Sequence, residues 1–350
     1  MALQAFFIGA SGHIGAAVLQ ALKHSFPNLP ITALVRSKKD IDPLRESYGD
    51  SVRTSQGSLE DLKLLEAEAA KAQLIINCAP DVPYTRGIAA LLRGLAVSPS
   101  PTFYIHTSGA ARIWDPPNGD AEGRTWDDIE DVDALPVIAT HAATDIQVAS
   151  ASSGAVYTAI VSPSFVVGRT PSRSHNPPIT FPDLMHVVKH VGGPFTVAGG
   201  RNVTGFIDTE NLADLYIRLT RDAMRHLVGE KTGVPDDNIW GPRAYYFAST
   251  LEISFRDFNE QYLVPSLRRV GAEAFLENGP TQLTVAEVVD IIMERHGGGV
   301  AAELWTRHIA EGFGTAMRVR GTRAKKFLGF EAVEGLPGLD DAVRAVLREI

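Results

Sequence analysis

The chain has a single cysteine, Cys78, among 350 residues. One thiol can build neither an internal disulfide framework nor a thiolate zinc cluster, and such scarcity suits a reducing compartment, so a cytoplasmic location is expected. Long apolar runs are missing as well. No stretch approaches the ~20 uninterrupted residues of a membrane-crossing helix. The apolar N-terminus has no basic segment before Lys23 and is broken by Ser11-Gly12-His13-Ile14-Gly15, so it reads as a core strand rather than a secretory leader. Basic charge is in deficit: Lys and Arg number 33 against 41 Asp and Glu, a net charge of −8. With no long Lys/Arg block, a nucleic-acid partner is not expected, and neither is a membrane. Internal repeats are lacking too. What remains, 45% hydrophobic and 21% charged residues, is the balance of a globular chain long enough for two lobes.

The most informative segment opens the chain. Ala5-Phe6-Phe7-Ile8 is a short apolar run, Gly9-Ala10-Ser11-Gly12-His13-Ile14-Gly15 a glycine turn, and Ala16 to Leu22 an amphipathic helical stretch. A strand–turn–helix of this kind aims backbone N–H groups and the positive end of a helix at one point, which suits a dinucleotide pyrophosphate. Glycine is required wherever a Cβ would block the turn, the ligand or the helix–strand contact.

Strand signals then alternate with helical ones. Ile31–Val35, Ser51–Thr54, Leu74–Ala79, Thr102–Ser108 and Val156–Val161 read as further strands, with helices over Leu62–Ala72 and Gly87–Leu95. Continuously apolar strands between helices predict an α/β Rossmann-type fold, a doubly wound parallel sheet with ligands at the C-terminal strand ends. Trp114 to Pro136 reads as a long acidic surface loop, with a lid over the site as the alternative. Beyond Gly168, a loop over Arg169–Pro178, a helix over Phe181–Val191, a strand–cap–helix from Thr204, a strand over Ala244–Ala248 and a mostly helical remainder are expected. The dinucleotide-binding domain is therefore drawn over 1–168, joined by about 203–225 and by the strand near 244–248. A smaller, mostly helical substrate lobe covers 169–202 and 226–350.

The residue ending the second strand meets the adenine ribose in such folds, and an acid there would favour NAD. Arg36 holds that place, followed by Ser37, Lys38 and Lys39. A guanidinium pairs a 2′-phosphate in a fork, so the expected cofactor is NADP(H).

This pattern resembles the short-chain dehydrogenase/reductase superfamily, in its extended and atypical NmrA-like or epimerase-like branch, over most of the chain. Gly9, Gly12 and Gly15 fit its G-x-x-G-x-x-G turn, and Arg36 its NADP-selecting residue. Gly57-Ser58-Leu59 resembles its Gly-Asp-Leu adenine contact, with Ser in place of Asp. Cys78-Ala79-Pro80 is similar to the small-residue segment beneath the cofactor. Ser162 to Gly168 resembles its Arg-Pro-x-x-x-x-Gly segment beside the nicotinamide, Phe206 to Ala213 its Val-His-Val-x-Asp-Leu-Ala stretch, and Arg323 to Phe330 its Ala-x-x-x-Leu-Gly-Trp element. The resemblance implies cofactor contacts from Gly9, Ser11, Gly12, His13, Ile14 and Gly15, and from Arg36, Ser37 and Leu59. It implies others from Cys78, Ala79, Pro80 and Thr107, and from Pro163, Ser164 and Val166. Many relatives pair through helices on one side of the sheet, which brings a homodimer within the expectation.

One departure bears on mechanism. Reductases of this superfamily usually carry Tyr-x-x-x-Lys after the fifth strand, and no such motif occurs here. Ser108, behind Thr107, matches the family's substrate-orienting Ser. His141 takes the Tyr place and Asp145 the Lys place, four residues apart on one expected helix face. An imidazolium can donate a proton near neutral pH, and a carboxylate beside it can favour the charged ring. The pair could instead only tie the helix to the acidic loop and the sheet. Tyr84, in the loop after the fourth strand, is a substitute proton donor, and Cys78 reads as a packing residue. His186 and His190 stand four apart, but the sequence offers them no third ligand, so a substrate-lining or structural role is expected and no metal.

These readings point to an NADPH-dependent oxidoreductase reducing a carbonyl, imine or activated alkene of a small organic molecule. An epimerase or isomerase of the same fold is one rival, and a catalytically silent NADP-sensing NmrA-like regulator another.

Overall fold

A strand that is apolar at every position is stable only if both faces are covered, and the chain arranges its helices to do so. The computed structural model describes residues 3–98 and 101–349. Its first part builds β1 (Ala5–Ile8), α1 (His13–Ser25), β2 (Ile31–Val35), α2 (Lys38–Tyr48), β3 (Val52–Gln56), α3 (Leu62–Ala69), β4 (Leu74–Asn77), α4 (Thr85–Ala96) and β5 (Thr102–Thr107). Then come β6 (Thr125–Asp127), α5 (Ala142–Ala151), β7 (Val156–Pro163), β8 (Phe165–Val167), α6 (Phe181–Val191), β9 (Phe195–Val197), β10 (Val203–Asp208), α7 (Thr209–Leu227), β11 (Tyr245–Ala248) and β12 (Leu251–Ser254). The chain closes with α8 (Phe255–Phe258), α9 (Val264–Arg269), β13 (Thr281–Leu283), α10 (Val285–His296), α11 (Val300–Gly314), β14 (Arg318–Arg320), α12 (Thr322–Leu328) and α13 (Leu339–Leu347).

Among the described residues, seven strands form one parallel sheet in the order β11-β7-β5-β4-β1-β2-β3. The order reverses between β1 and β4, which makes the crevice above those two strands the switch point of a Rossmann fold. Alternate residues of each strand feed opposite cores. Phe7, Ile76 and Ile105 join Leu19 and Leu22 of α1 and Leu215 of α7 on one face. Phe6, Ile75 and Tyr104 join Leu65 of α3, Leu91 of α4 and Val148 of α5 on the other. A separate core, around Val187 of α6, Ile292 of α10, Phe313 of α11 and Val343 of α13, holds the helical part together. No helix of the described residues is long and apolar enough to cross a membrane.

Two stretches differ from the sequence expectation. The strand at 203–208 does not join the large sheet. It pairs parallel with β8 and antiparallel with β12, because β8 leaves the sheet directly after Ser164 and supplies a new edge. Only α7 returns to the sheet, packing on α1. The acidic stretch 114–136 is not a plain surface loop either. β6 pairs with β14, nearly two hundred residues later, and Trp126, Asp127 and Asp128 are buried. A pairing so remote leaves no local trace in the sequence.

Asp128 fastens this junction. Its carboxylate accepts the N–H groups of Arg323 at 2.8 Å and Phe247 at 3.1 Å, while its own carbonyl accepts the Arg323 guanidinium. Burial pushes its carboxyl up to about 7 despite those donors. Asp128→Ala leaves two buried amides without acceptors, a cost of about 2–5 kcal/mol. A lower urea midpoint at unchanged slope is the expected reading.

Candidate active site

The C-terminal ends of β1, β2, β4, β5 and β7 open on one edge of the sheet, and the sequence candidates cluster there. Gly9 adopts φ +86°, a left-handed conformation that only glycine enters without strain. A Cβ on Gly9 would fall 2.7 Å from the Ala79 amide nitrogen, and one on Gly15 would fall 2.0 Å from the Gly9 carbonyl oxygen. Gly12 caps α1 without a side-chain hydrogen bond. The turn is thus a backbone-walled cradle at a helix N-terminus, which fits a phosphate-bearing group.

Around the cradle, Arg36 is exposed at the end of β2 and Ser37 caps α2. Lys38 and Lys39 lie in the first turn of α2. Leu59 is buried against Gly87 of α4. Cys78, Ala79 and Pro80 follow β4, Pro163 ends β7, and Val166 lies in β8. Ser164 is buried, with no hydrogen-bond partner for its hydroxyl among the described residues. Thr107 is committed to the fold: its hydroxyl donates to the Asn77 carbonyl at 2.6 Å and pairs with the Tyr216 hydroxyl. Burial pushes the Cys78 thiol up to about 12, so it is no thiolate nucleophile.

The loop 169–178 is strapped across the glycine turn. Thr170 donates to the His13 carbonyl at 2.8 Å, Ser172 to the Ser11 carbonyl at 2.6 Å, and the His13 ring meets the Asn176 carbonyl at 2.7 Å. Ser174 reaches Asp40, and Arg173 pairs with Glu46. The strap takes carbonyl oxygens of the turn, not its amides.

The acid–base candidates sit further along the edge, in a different arrangement from the one expected. His141 is not on a helix face. It caps α5 in the left-handed conformation, φ +69°, and its Nδ1 meets Asp81 Oδ1 at 2.8 Å. Asp145, inside α5 and fully buried, accepts instead from the Ser108 hydroxyl at 3.0 Å and lies 3.4 Å from Arg112 Nε. The two residues are split because a left-handed residue turns its side chain out of the helical rows. Asp81 therefore stands where Asp145 was expected, behind the imidazole. Its second oxygen accepts from Thr144. Burial alone would raise the Asp81 carboxyl, but His106 and His141 facing it hold it well below the ordinary carboxylate range. Tyr84 is half-buried at the start of α4, its amide bonded to the Asp81 carbonyl, and it packs against the sheet core.

His106, on β5, joins the two carboxylates. Its Nε2 is 3.9 Å from both Asp81 Oδ2 and Asp145 Oδ1, and one ligand atom from each of the three residues lies within 4.8 Å of the others. Such spacing suits either a cation or a shared proton. The Ala79 amide donates to Asn77 Oδ1, which turns Asn77 Nδ2 to donate to the Tyr104 hydroxyl. The hydroxyl in turn meets His106 Nδ1 at 3.1 Å and fixes the ring so that Nε2 faces the carboxylates.

Asp81, His106, Arg112 and Thr144 were not singled out in the sequence. Asp81 follows Cys78-Ala79-Pro80 by one residue, a signal available but unread; the others have no motif. His308 of α11 was missed as well. It stacks on Trp114 with centroids 4.5 Å apart, and burial together with the charge of His141 lowers its pKa. His186 and His190 do acquire an acidic neighbour, Glu294, at 3.7 and 3.3 Å, on the surface of the helical part.

No family model matches the chain. It is 25% identical over 349 residues to the oxidase ucsJ of Acremonium sp, covering 95% of this chain and 94% of that protein. Among solved structures it resembles DesIV, a dTDP-glucose 4,6-dehydratase from Streptomyces venezuelae bound to NAD and TYD, with TM-score 0.63 and 16% identity over 99% of this chain and 97% of that one. The UDP-glucose 4-epimerase of Thermotoga maritima, bound to UDP-glucose, matches with TM-score 0.61 and 12% identity over 99% of both chains. The chain thus shares the Rossmann-type fold of these solved structures over nearly its whole length.

Proposed function

We propose that this chain is a nicotinamide-dependent oxidoreductase that binds NADP(H) and acts on a carbonyl, imine or activated alkene of a small organic molecule. The observation that carries the reading is the placement of a glycine cradle and a Ser108/His141–Asp81 constellation on one sheet edge. The oxidase relative and the NAD-bound dehydratase support the same class.

The amides of the 9–15 turn would hold the pyrophosphate, and Arg36 and Ser37 the adenosine 2′-phosphate. When bound, the coenzyme supplies or removes a hydride. Ser108 and His141 would meet the substrate oxygen. Asp81 accepts from His141 Nδ1, so the neutral ring offers a bare Nε2 as base and the charged ring an N–H as acid. Asp81 also holds the imidazole in that orientation, the role a buried carboxylate plays behind a catalytic histidine. His141 is thus able to take or give the proton that accompanies hydride transfer.

Calorimetry with NADPH and NADH, followed by mass spectrometry of products from a carbonyl panel, tests the reading. Uptake of NADPH and a two-electron change in product are expected; failure to take up either coenzyme removes it. Arg36→Glu should weaken NADPH binding by about tenfold or more with little effect on NADH, since a charge-assisted pair becomes a repulsion. The similarity to an epimerase gives one alternative a footing, a reaction with no net redox change. Product of unchanged oxidation level, formed with bound coenzyme, would select it.

A further inference from the structure

Ser108 owns one hydroxyl proton, and that proton is committed to Asp145 Oδ2. Asp145 has no exposed surface, and its Oδ1 has no hydrogen-bond partner among the described residues. The groups facing it are Arg112 behind Ser108, His106 on β5, His141 at the cap of α5, Asp81 after β4 and Tyr245 on β11. Burial and Asp81 favour the neutral acid; His106, Ser108, His141 and Arg112 favour the anion. Burial prevails and pushes the carboxyl up to about 6.

We propose that Asp145 is a positioning residue whose proton sets the direction of the Ser108 hydroxyl, so that capture of a carbonyl substrate takes up one proton at this buried carboxyl. Asp145 has this role on the reading that Ser108 meets the substrate oxygen. While Asp145 is ionised, Ser108 donates to it and can only accept from a ligand. A carbonyl oxygen has no proton to give, so it gains nothing from Ser108 in that state. A hydroxyl bonded to a buried carboxylate is also held more tightly than one shared with a neutral oxygen. Once protonated, Asp145 donates to Ser108, and the serine proton is free for the carbonyl. An alcohol carries its own proton and fits the ionised state. Above the Asp145 midpoint the site is therefore set for the alcohol partner, and below it for the carbonyl. This adds a direction to the proposed reaction that the fold does not supply.

Infrared difference titration of the whole chain between pH 5 and 8 reads the couple without coenzyme. A protonated-carboxyl band that vanishes with a midpoint near pH 6 is expected. The component is taken as the difference from the same protein carrying Asp145→Asn, which cancels the Asp128 carboxyl near pH 7, and its midpoint should rise by about one unit in Ser108→Ala, which loses a donor to the anion. No such band, or a midpoint unmoved by Ser108→Ala, overturns the assignment. On coenzyme-loaded protein, saturation-transfer NMR with cyclohexanone and cyclohexanol as probes reads the ligand side. The ketone's dissociation constant should weaken about tenfold per pH unit above the midpoint, the alcohol's should stay level, and Asp145→Asn should flatten the ketone profile. Matching ketone profiles in the two proteins count against the role. If coenzyme fails to bind, the oxidoreductase reading falls while the infrared result still stands or falls by itself.

Discussion

Replacing His141 by Asn is expected to lower turnover by about 10²–10⁴-fold, the usual contribution of a positioned acid–base group. Coenzyme affinity should not change, because His141 lies at the cap of α5 and the cradle is formed by the turn before α1. Asn is the suitable replacement: it tolerates the left-handed backbone of this position and removes only the titrating ring. Steady-state rates and coenzyme calorimetry on the same preparation separate the two effects. Turnover within threefold of the parent protein would take His141 out of the chemistry and pass the proton to Ser108–Asp145 or Tyr84. Asp81→Asn should fall in the same direction, since an amide can present its N–H to His141 Nδ1 and stabilise the wrong tautomer.

Gly15→Ala should be strongly damaging to the coenzyme cradle. The added carbon meets the Gly9 carbonyl at 2.0 Å and its carbon at 2.7 Å, both backbone, so no side chain can move aside. Loss of coenzyme binding by at least about 100-fold and a lower melting temperature are expected, by the strain that overpacking brings. Gly154→Ala is the internal control. Its added carbon meets nothing within 4 Å, so little effect is expected there. Equal tolerance of both substitutions by coenzyme binding would mean that the cradle does not hold the pyrophosphate.

The sheet was largely legible because its signals are local. Phe6 to Ile8, Leu74 to Ile76 and Phe103 to Ile105 are apolar in sequence and central in the fold, and helix α6 falls on Phe181–Val191 as read. The glycine turn was legible for the same reason, since its chemistry is confined to seven consecutive residues. What could not be read depends on long-range pairing. The β6–β14 ladder joins Trp126 to Val319, and nothing near either residue announces the other. The carboxylates around His106 show the limit most clearly. Spacing of four residues gave His141 and Asp145 to each other, whereas one left-handed residue gives His141 to Asp81 and Asp145 to Ser108. Helical periodicity predicts neighbours only inside a helix, and His141 stands just outside one.

That backbone conformation also narrows what the position can become. At φ +69°, Val, Ile and Thr are excluded by their branched Cβ, and long unbranched residues enter only with strain. Gly, Asn and Asp fit the backbone, but none of them carries an imidazole. A library built at residue 141 to retune the acid–base group would therefore be shallow, and variation at Asp81, behind the ring, is the more productive place to search.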